Sequence, residues 1–229
     1  MKVYSIWFVL VVGIALIVSS CAKDNSSASS TDNTTKSSDN SSSSSELFVA
    51  VGVSGTIVRS TNNGASFDNV TSSTPNGLME VTFGNNTFLA GGAGDGNAVL
   101  GFIARSTDNG VSWDNVSTNS AGEVTFGSRD LAEGIALGNN TFVAVGGNGR
   151  IWRSTDNGSS WDNVTSPTSI SFSEVGFGNN TFVAVGYLGT IVRSTDNGNT
   201  WDNVTCPTTK GVYGVAFGND TFVGVGEDG

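Results

Sequence analysis

The chain has 229 residues, of which 31 are glycine, 13% are charged and 37% are hydrophobic. It is too apolar for a wholly disordered protein and too rich in glycine for a helical one. It contains no histidine and only two cysteines, Cys21 and Cys206, which excludes Ser-His-Asp and Cys-His catalysis and the usual zinc sites. The net charge of −10 argues against nucleic-acid binding, because that binding depends on Lys and Arg neutralising phosphates.

The first 20 residues have the pattern of a secretory signal peptide. Lys2 precedes an apolar run over residues 3–18, which is shorter than the roughly 20 residues that a spanning helix needs. The run leads into V-S-S-C, which resembles the lipobox of bacterial lipoproteins and implies that Cys21 is lipidated and begins the mature chain. Cys206 would then have no disulfide partner. The alternative is an ordinary signal or anchor in which Cys21 is coincidental.

Residues 21–45 form the next predicted segment. They are almost entirely Ser, Asn, Asp, Thr, Lys and Ala, with serine at every position from 41 to 45. Such a stretch buries nothing, so it predicts a disordered tether between a lipid anchor and a folded part. Lysines and aspartates cancel within residues 1–45, so the net charge of −10 falls on residues 46–229.

Residues 46–229 repeat a unit of about 40 residues, which is typical of propellers and repeat arrays. The phrase S-T-D-N-G-x-[ST]-W begins at Ser106, Ser154 and Ser194, and a degenerate copy begins at Ser60; we call these four copies the repeat turns. The phrase F-V-A-V-G-x-x-G-x-I-x-R precedes the last copy and is matched ahead of the others. The phrase D-N-V-[TS] follows each copy.

Each unit predicts four short antiparallel strands, A to D. The clearest examples are strand A at 175–177, strand B at 181–185, strand C at 190–194 and, in the preceding unit, strand D at 160–165. Asn-Asn between A and B and Asp-Asn-Gly between C and D are hairpin signals, because Asn and Gly tolerate positive φ. Counting units gives B-C-D, three complete blades and A-B. The fold class is therefore an all-β propeller of about four and a half four-stranded blades over 46–229, incomplete at its C-terminus.

The repeat turns resemble the Asp-box, or bacterial neuraminidase repeat, which lies on the C-D hairpin of blades in sialidases, sortilin-like receptors and photosystem II assembly factors. The surrounding phrase is most similar to the assembly-factor group. Within each turn we expect the Asp to accept backbone N–H bonds, the Gly to take positive φ and the Trp to pack between hairpins. The architectural residues are Asp108, Gly110, Trp113, Asp156, Gly158, Trp161, Asp196, Gly198 and Trp201. The alternative for the aspartates is a set of ligand or metal sites.

Two insertions break the repeat. Phe88 to Ser106 spans 18 positions where Phe142 to Ser154 spans 12, which places extra residues in a B-C loop. A second insertion lies in a D-A connection, around residues 127–133. Both connections open on one face of a propeller, and insertions on one face of a repeat protein often mark its binding surface. The candidate binding residues on this face are Asp95, Asn97, Arg129, Asp130, Glu133, Arg150 and Tyr187. The alternative is tolerated loop length with solvated charges.

Glu80 and Glu174 each begin a predicted innermost strand, and Glu123 is a third candidate. Innermost strands line the central channel, so these carboxylates could converge there and raise one another's pKa or attract a cation. The alternative is solvated glutamates at the channel mouth. Cys206 occupies a loop position that is serine in other units.

These patterns predict a lipid-anchored module of the bacterial cell envelope that binds a protein or glycan at the B-C and D-A loops, without catalysis, cofactor, bound metal or nucleic acid. Membrane contact would be through the lipid on Cys21. Two alternatives stay open: an extracytoplasmic glycoside hydrolase with active-site residues beyond this sequence, and a surface adhesin or receptor. The sialidase signature R-I-P is absent from the sequence, and only Arg129 and Arg150 lie outside the repeated arginine position.

Overall fold

The computed structural model describes residues 46–93, 101–116 and 132–227. These residues form strands β1 to β17, arranged in five antiparallel sheets that we call blades 1 to 5 in chain order. The predicted signal peptide, Cys21 and the tether lie outside the described residues.

Blades 1 and 5 contain three and two strands, and the blades between them contain four each. Blade 1 is β1 (Phe48–Val51), β2 (Ile57–Ser60) and β3 (Asp68–Val70). Blade 2 is β4 (Gly77–Gly84), β5 (Thr87–Ala93), β6 (Gly101–Ser106) and β7 (Asp114–Asn115). Blade 3 is β8 (Ala132–Gly138), β9 (Thr141–Gly146), β10 (Ile151–Ser154) and β11 (Asp162–Val164). Blade 4 is β12 (Phe172–Gly178), β13 (Thr181–Gly186), β14 (Ile191–Ser194) and β15 (Asp202–Val204). Blade 5 is β16 (Val212–Gly218) and β17 (Thr221–Gly226).

Tight turns made by Asn and Gly define the hairpins. Strands A and B of blade 4 are joined by Asn179 and Asn180, with φ of 45° and 56°. Two consecutive residues with positive φ match the right-handed twist of the strands that they join. Strands C and D of blade 3 are joined through Asn157 and Gly158, with φ of 61° and 76°. The strand pattern predicted from these turns, B-C-D, three full blades and A-B, is confirmed.

Strand A is longer than predicted and carries a bulge near its start. In blade 4, Phe172 pairs with Gly186 and Glu174 pairs with Val185, so Ser173 is the extra residue. Blade 3 has the same irregularity, with Glu133 as the extra residue between Ala132 and Gly134. A bulge re-aims side chains and increases local twist, and here it lies at the loop end of each innermost strand.

The hydrophobic core lies between neighbouring blades. One cluster joins Leu89 and Ile103 of blade 2 to Phe142 and Trp161 of blade 3, and every one of these side chains is fully buried. Equivalent clusters join blade 1 to blade 2 and blade 3 to blade 4. Burial of such large apolar side chains is the main favourable contribution to folding, so each blade is stabilised chiefly by its neighbours.

Candidate binding face and channel carboxylates

The aspartate in the repeat turns of blades 2, 3 and 4 accepts hydrogen bonds from within the turn. In blade 3, Asp156 Oδ1 accepts from Ser154 Oγ at 2.8 Å and from the backbone N–H of Ser160 at 2.9 Å. Asp156 Oδ2 accepts from Ser160 Oγ at 2.6 Å. Ser154 Oγ in turn accepts from the backbone N–H of Gly158 at 2.9 Å. The carboxylate therefore closes the C-D hairpin and is occupied in doing so.

The same bonds lower the pKa of these aspartates. Hydrogen bonds from the Ser112 hydroxyl and backbone lower the pKa of Asp108 to about 2. The equivalent bonds from Thr200 lower the pKa of Asp196 to about 2. A carboxylate that accepts several hydrogen bonds is stabilised in its charged form. In the described structure, the oxygens of these aspartates bond to groups of their own turns.

The repeat turns of blades 2, 3 and 4 also join each of these blades to the one before it. Arg153 of β10 donates from Nε to the main-chain carbonyl of Asn197, in the repeat turn of blade 4, at 2.7 Å. A Cβ at Gly198 in that turn would lie 2.7 Å from Val143 Cγ2 of blade 3. The glycine is therefore required both by its φ of 77° and by the close approach of the neighbouring blade.

The B-C and D-A connections meet on one face, which we call the loop face. The B-C turns include short 3-10 segments at Val53–Gly55, Gly147–Gly149 and Tyr187–Gly189. A Cβ at Gly149 would lie 2.2 Å from the carbonyl oxygen of Thr168, in the D-A connection that follows blade 3. The repeat turns lie at the opposite ends of the strands. On the loop face, the B-C turn of blade 3 is thus in direct contact with the D-A connection that follows that blade.

The structure describes three of the predicted binding residues, which are Glu133, Arg150 and Tyr187. Asp95, Asn97, Arg129 and Asp130 lie outside the described residues, as does Glu123. Arg150 is exposed beside the B-C turn of blade 3 and lines a pocket of about 370 Å³ with Asn148 and Thr165. Tyr187 lies in the B-C turn of blade 4.

Glu133 does not lie in the D-A connection where the sequence placed it. It is the bulged residue of β8, so its side chain belongs to an innermost strand. Glycine follows it because β8 and β12 approach closely: a Cβ at Gly134 would lie 2.8 Å from Cα of Glu174. Gly134 holds the position that is Glu80 in blade 2 and Glu174 in blade 4, and in blade 3 the carboxylate is one residue earlier.

Tyr187, which the sequence predicts as a binding residue, is part of an exposed patch with two residues that the sequence did not predict. Its ring meets that of Tyr213 edge-on, with centroids 5.4 Å apart. Tyr187, Leu188 and Tyr213 are 46%, 68% and 39% exposed, and we call them the tyrosine patch. The Tyr213 hydroxyl donates to the Glu227 carboxylate, and this bond raises the pKa of Tyr213 to about 12.

Leu188 adopts a backbone conformation that leucine rarely takes. Its φ is 54°, in the left-handed region where Ser54 and Asn148 stand in the equivalent turns of blades 1 and 3. Such a conformation costs about 1–2 kcal/mol for a residue with a Cβ. The side chain gains little burial in return, and strain of this kind is often found at functional sites.

The positions that vary between repeats identify this patch. The B-C turns all read V-G-x-x-G except in blade 2, where the insertion lies, and the two variable residues are Val53-Ser54, Gly147-Asn148 and Tyr187-Leu188. The bulge positions of strand A are equally variable. They are Met79, Glu133, Ser173 and Tyr213. Both sets lie at the loop end of the strands, so the nearly identical blades differ mainly where the loop face meets the channel.

Glu80, Glu133 and Glu174 are half-buried on three successive innermost strands. Burial, and secondarily the charge of Glu174, raises the pKa of Glu80 to about 8, while a bond from the Val81 backbone opposes the shift. Burial raises the pKa of Glu133 and of Glu174 to about 7. The charge of Glu174 contributes to the raised pKa of Glu80 although β8 lies between their strands, so the two carboxylates are near enough to interact.

Several other features bear on the chemistry of the site. Within residues 46–93, 101–116 and 132–227, no group of three or more His, Cys, Asp or Glu side chains is placed to hold a metal ion. Helical segments in the same ranges are neither long nor apolar enough to span a membrane.

Cys206 is half-buried and is a free thiol. It replaces a serine whose hydroxyl, in Ser166, accepts from the backbone N–H of Thr168 at 3.3 Å.

Comparison with known proteins agrees with this architecture. The DUF6242 beta propeller domain matches residues 68–219. A structure of YCF48 bound to a D1 peptide is similar with a TM-score of 0.54 and 18% identity, over 78% of this chain and 56% of that one. The computationally designed Ika8 protein is similar with a TM-score of 0.57 and 14% identity, over 80% of this chain and 53% of that one. The chain thus spans little more than half of each. No curated protein sequence matches it.

Proposed function

We propose that this chain, which belongs to the DUF6242 β-propeller family, is a non-catalytic binding module that takes a protein segment on its loop face. The observation that carries the proposal is the tyrosine patch. Tyr187, Leu188 and Tyr213 expose large apolar side chains at positions that vary between otherwise similar blades. Exposed aromatic side chains grouped on one surface are typical of protein interfaces.

The strained backbone of Leu188 supports the same conclusion. A turn of the same length is made in blade 3 with Gly147 and Asn148, which suit that conformation. Leucine at this position destabilises the turn and does not fill the core, so we infer that its side chain contacts a partner outside the chain. The YCF48 structure, which holds a D1 peptide, is a propeller of similar fold and gives precedent for a peptide ligand.

The partner segment is expected to be basic. Residues 46–229 carry the whole net charge of −10, and the Glu227 carboxylate is hydrogen-bonded to Tyr213 of the tyrosine patch. Arg59, Arg105 and Arg153 are engaged in bonds between blades, so they do not offset this acidity at the loop face. Complementary charge raises association rates and selects among partners, and a Lys or Arg side chain can also stack on a tyrosine ring.

A peptide array tests the proposal. The array should vary net charge and apolar content, and binding should be strongest for peptides that combine Lys or Arg with an apolar side chain. Replacing Tyr187 and Leu188 by the residues of the blade 3 turn (Y187G/L188N) should weaken binding at least tenfold while keeping the fold. V111S, which changes a residue that is 58% exposed in a repeat turn on the opposite face, is the matched control. Equal binding by all three proteins would overturn the proposal.

The competing expectation of a glycoside hydrolase is tested with fluorogenic glycosides. Hydrolysis that is abolished by E80Q or E174Q would replace the binding module with an enzyme whose carboxylates line the channel. We expect no hydrolysis above that of the double variant E80Q/E174Q. The adhesin or receptor alternative is a binding function and differs in its partner, which the array and a parallel glycan array would distinguish.

We also propose that the module is held at the bacterial cell envelope by lipid on Cys21, with residues 22–45 as a spacer. The support is the order of Lys2, the apolar run and the V-S-S-C phrase in the sequence. Metabolic labelling with an alkyne-modified palmitate should mark the wild-type chain and leave C21S unlabelled. Labelling of C21S, or a wild-type chain recovered wholly in the wash of intact cells, would refute lipid anchoring.

A further inference from the structure

Two pockets adjoin each other where blade 3 meets blade 4, and both blades have all four strands. The first pocket, of about 370 Å³, is lined by the B-C turn of blade 3, the end of β11 and the D-A connection that follows. The second, of about 500 Å³, lies between β11 and the repeat turn of blade 4. Asn163, Val164 and Thr165 line both pockets, so the two form one surface that we call the interblade groove.

The first pocket is lined by groups that bond to hydroxyls. Carboxamides and hydroxyls both donate and accept hydrogen bonds, as the hydroxyls of a saccharide do. Protein segments are held mainly by aromatic or apolar anchors in desolvated pockets, and Val164 is the one apolar side chain in this lining. The polar lining therefore favours a saccharide over a peptide. It consists of two carboxamides, three hydroxyls and one guanidinium: Asn148, Asn163, Thr165, Ser166, Thr168 and Arg150.

Arg150 distinguishes this pocket from the equivalent places in other blades. Its position is Thr56 in blade 1 and Thr190 in blade 4. It also lies outside the repeated arginine position, so the architecture of the blades does not require it. A guanidinium matches the geometry of a carboxylate and binds it through charge-assisted hydrogen bonds. The pocket of blade 3 is therefore suited to a sugar unit that carries a carboxylate.

Backbone hydrogen bonds hold the walls of the first pocket in place. The N–H of Arg150 donates to the carbonyl of Gly147 at 3.1 Å, which closes the B-C turn. The N–H of Asn148 donates to Ser171 Oγ at 3.1 Å, which joins that turn to the D-A connection. A ligand that enters a pocket with fixed walls loses less free energy to ordering of the protein.

The second pocket is suited to a neutral sugar unit. Arg153 and Asp162 are cross-strand partners in β10 and β11, and both line the pocket, so their opposite charges offset each other. Asn163, Asn199 and Thr200 add carboxamides and a hydroxyl to the same lining. Groups of this kind bond to sugar hydroxyls without selecting for charge.

We propose that the interblade groove binds an acidic oligosaccharide, with the carboxylate of a uronic acid unit on Arg150 and a neighbouring neutral unit between β11 and the repeat turn of blade 4. The site uses residues separate from the tyrosine patch. Its ligand is anionic and rich in hydroxyls, whereas the loop-face ligand proposed above is a basic protein segment. The two sites are therefore independent, and each can be tested without the other.

A glycan array with matched pairs of ligands tests the proposal. The array carries uronic acid oligosaccharides of several linkages, each beside its carboxyl-reduced counterpart, in which a hydroxymethyl group replaces the carboxylate. The full chain should bind at least one uronic acid member saturably and bind its reduced counterpart about tenfold more weakly or worse. Absence of binding to every uronic acid member, or equal binding of the two members of each pair, would overturn the proposal.

Acidic peptides on the same array test the class of ligand. They carry the same number of carboxylates as the oligosaccharides, on glutamate side chains, and they lack sugar hydroxyls. We expect them to bind about tenfold more weakly than the best uronic acid member, because they leave the carboxamides and hydroxyls of the groove without partners. Peptides that bind as tightly as the oligosaccharides would overturn the saccharide as the occupant.

Two variants locate the binding. R150T gives blade 3 the residue of blades 1 and 4, and it should weaken binding about tenfold or more, the loss expected for a hydrogen bond from a charged group. N163A removes a carboxamide shared by both pockets and should weaken binding several-fold. Both side chains are exposed, so both variants should fold as the wild type does, which circular dichroism checks. Unchanged binding in either variant would contradict the proposed site.

The double variant Y187G/L188N separates this site from the tyrosine patch. It should bind the uronic acid oligosaccharide as the wild type does, and so should V111S, at an exposed residue on the opposite face. Saccharide binding that depends on Arg150 would stand even if no peptide bound the tyrosine patch. Saccharide binding that is lost in Y187G/L188N and retained in R150T would place the ligand on the tyrosine patch and overturn the interblade groove as its site.

Discussion

Arg105 of blade 2 donates a 2.9 Å hydrogen bond from Nε to the main-chain carbonyl of Asn157, in the repeat turn of blade 3. The same bond is made by Arg59 to Asn109 and by Arg153 to Asn197. Arg59, Arg105 and Arg153 therefore join each of blades 1 to 3 to the blade that follows it. A repeated motif can therefore have two structural roles. Its aspartate closes its own hairpin, and its backbone carbonyl accepts a hydrogen bond from the preceding blade.

Removing one of these bonds should destabilise the chain. R105M keeps most of the side-chain volume and leaves the Asn157 carbonyl without its charged donor, so the free energy of unfolding should fall by about 1.5–3 kcal/mol. R193M is the matched control, because Arg193 is exposed in blade 4, and its effect should be within about 0.5 kcal/mol of zero. Urea denaturation measures both. Equal losses in the two variants would show that the bond between blades contributes nothing.

Substituting two glycines of the repeat turns distinguishes the destabilisation caused by backbone strain from that caused by contact between blades. Gly158 and Gly64 have φ of 76° and 78°. A Cβ at Gly158 would lie 2.7 Å from Leu89 Cδ2 of the preceding blade, whereas a Cβ at Gly64 meets nothing within 4 Å. G64A should therefore lose about 1–2 kcal/mol from strain alone. G158A should lose about 1–3 kcal/mol more, because it forces an extra methyl group into packed space. Thermal unfolding of both variants gives the comparison, and equal shifts would contradict the contact.

The sequence was sufficient for most of the fold because the signals for the hairpins are local. Asn179-Asn180 and Asn157-Gly158 fix their turns through their own preference for positive φ, and the repeat multiplies that evidence. The position of Glu133 could not be read in the same way. It depends on a bulge and on the close approach of β8 and β12, which is a tertiary contact rather than a preference of one residue.

Only part of the tyrosine patch could be predicted from the sequence, for a similar reason. Tyr187 was predicted from its place in a B-C loop, but Tyr213 lies 26 positions further along and reaches it through packing of blade 5 against blade 4. Leu188 gave no signal, because leucine has no preference for the left-handed conformation that Gly189 and the bond from Thr190 N–H to the Tyr187 carbonyl impose there. Comparing the variable positions of aligned repeats would have identified both residues.

The first repeat turn predicts how the others tolerate substitution. Asn62 replaces aspartate there and still accepts from the Ser66 backbone N–H at 3.0 Å, while its amide nitrogen donates to Ser66 Oγ at 2.8 Å. D156N should therefore keep the turn and lose less than about 1 kcal/mol. D156A should lose about 1–2 kcal/mol, because it leaves the Ser154 and Ser160 hydroxyls and a backbone N–H without their acceptor. Urea denaturation at neutral pH measures the difference, and an asparagine variant as unstable as the alanine variant would contradict it.

The channel carboxylates should make the chain less stable as the pH rises. The pKa of Glu80 is raised from 4.5 to about 8, so folding favours its protonated form. That contribution is fully present below the unfolded pKa and is lost as pH increases through about 8; Glu133 and Glu174 act in the same direction up to about 7. Asp108 and Asp196 act in the opposite direction, but their contribution is lost only as pH falls from about 4 to about 2. The free energy of unfolding should therefore decline between pH 5 and 8, within the window that these pKa values define.

Replacing Glu80 by glutamine shows how much of this pH dependence of stability comes from Glu80. E80Q has no charge to bury, so it should be more stable than the wild type at pH 8, close to it at pH 5, and should show a shallower decline between them. E46Q, at an exposed glutamate outside the channel, should follow the wild-type curve and is the control. Urea denaturation in steps of pH gives all three curves. A wild-type curve that rises from pH 5 to 8, or an E80Q curve parallel to it, would mean that Glu80 is solvated and that the channel does not hold its proton.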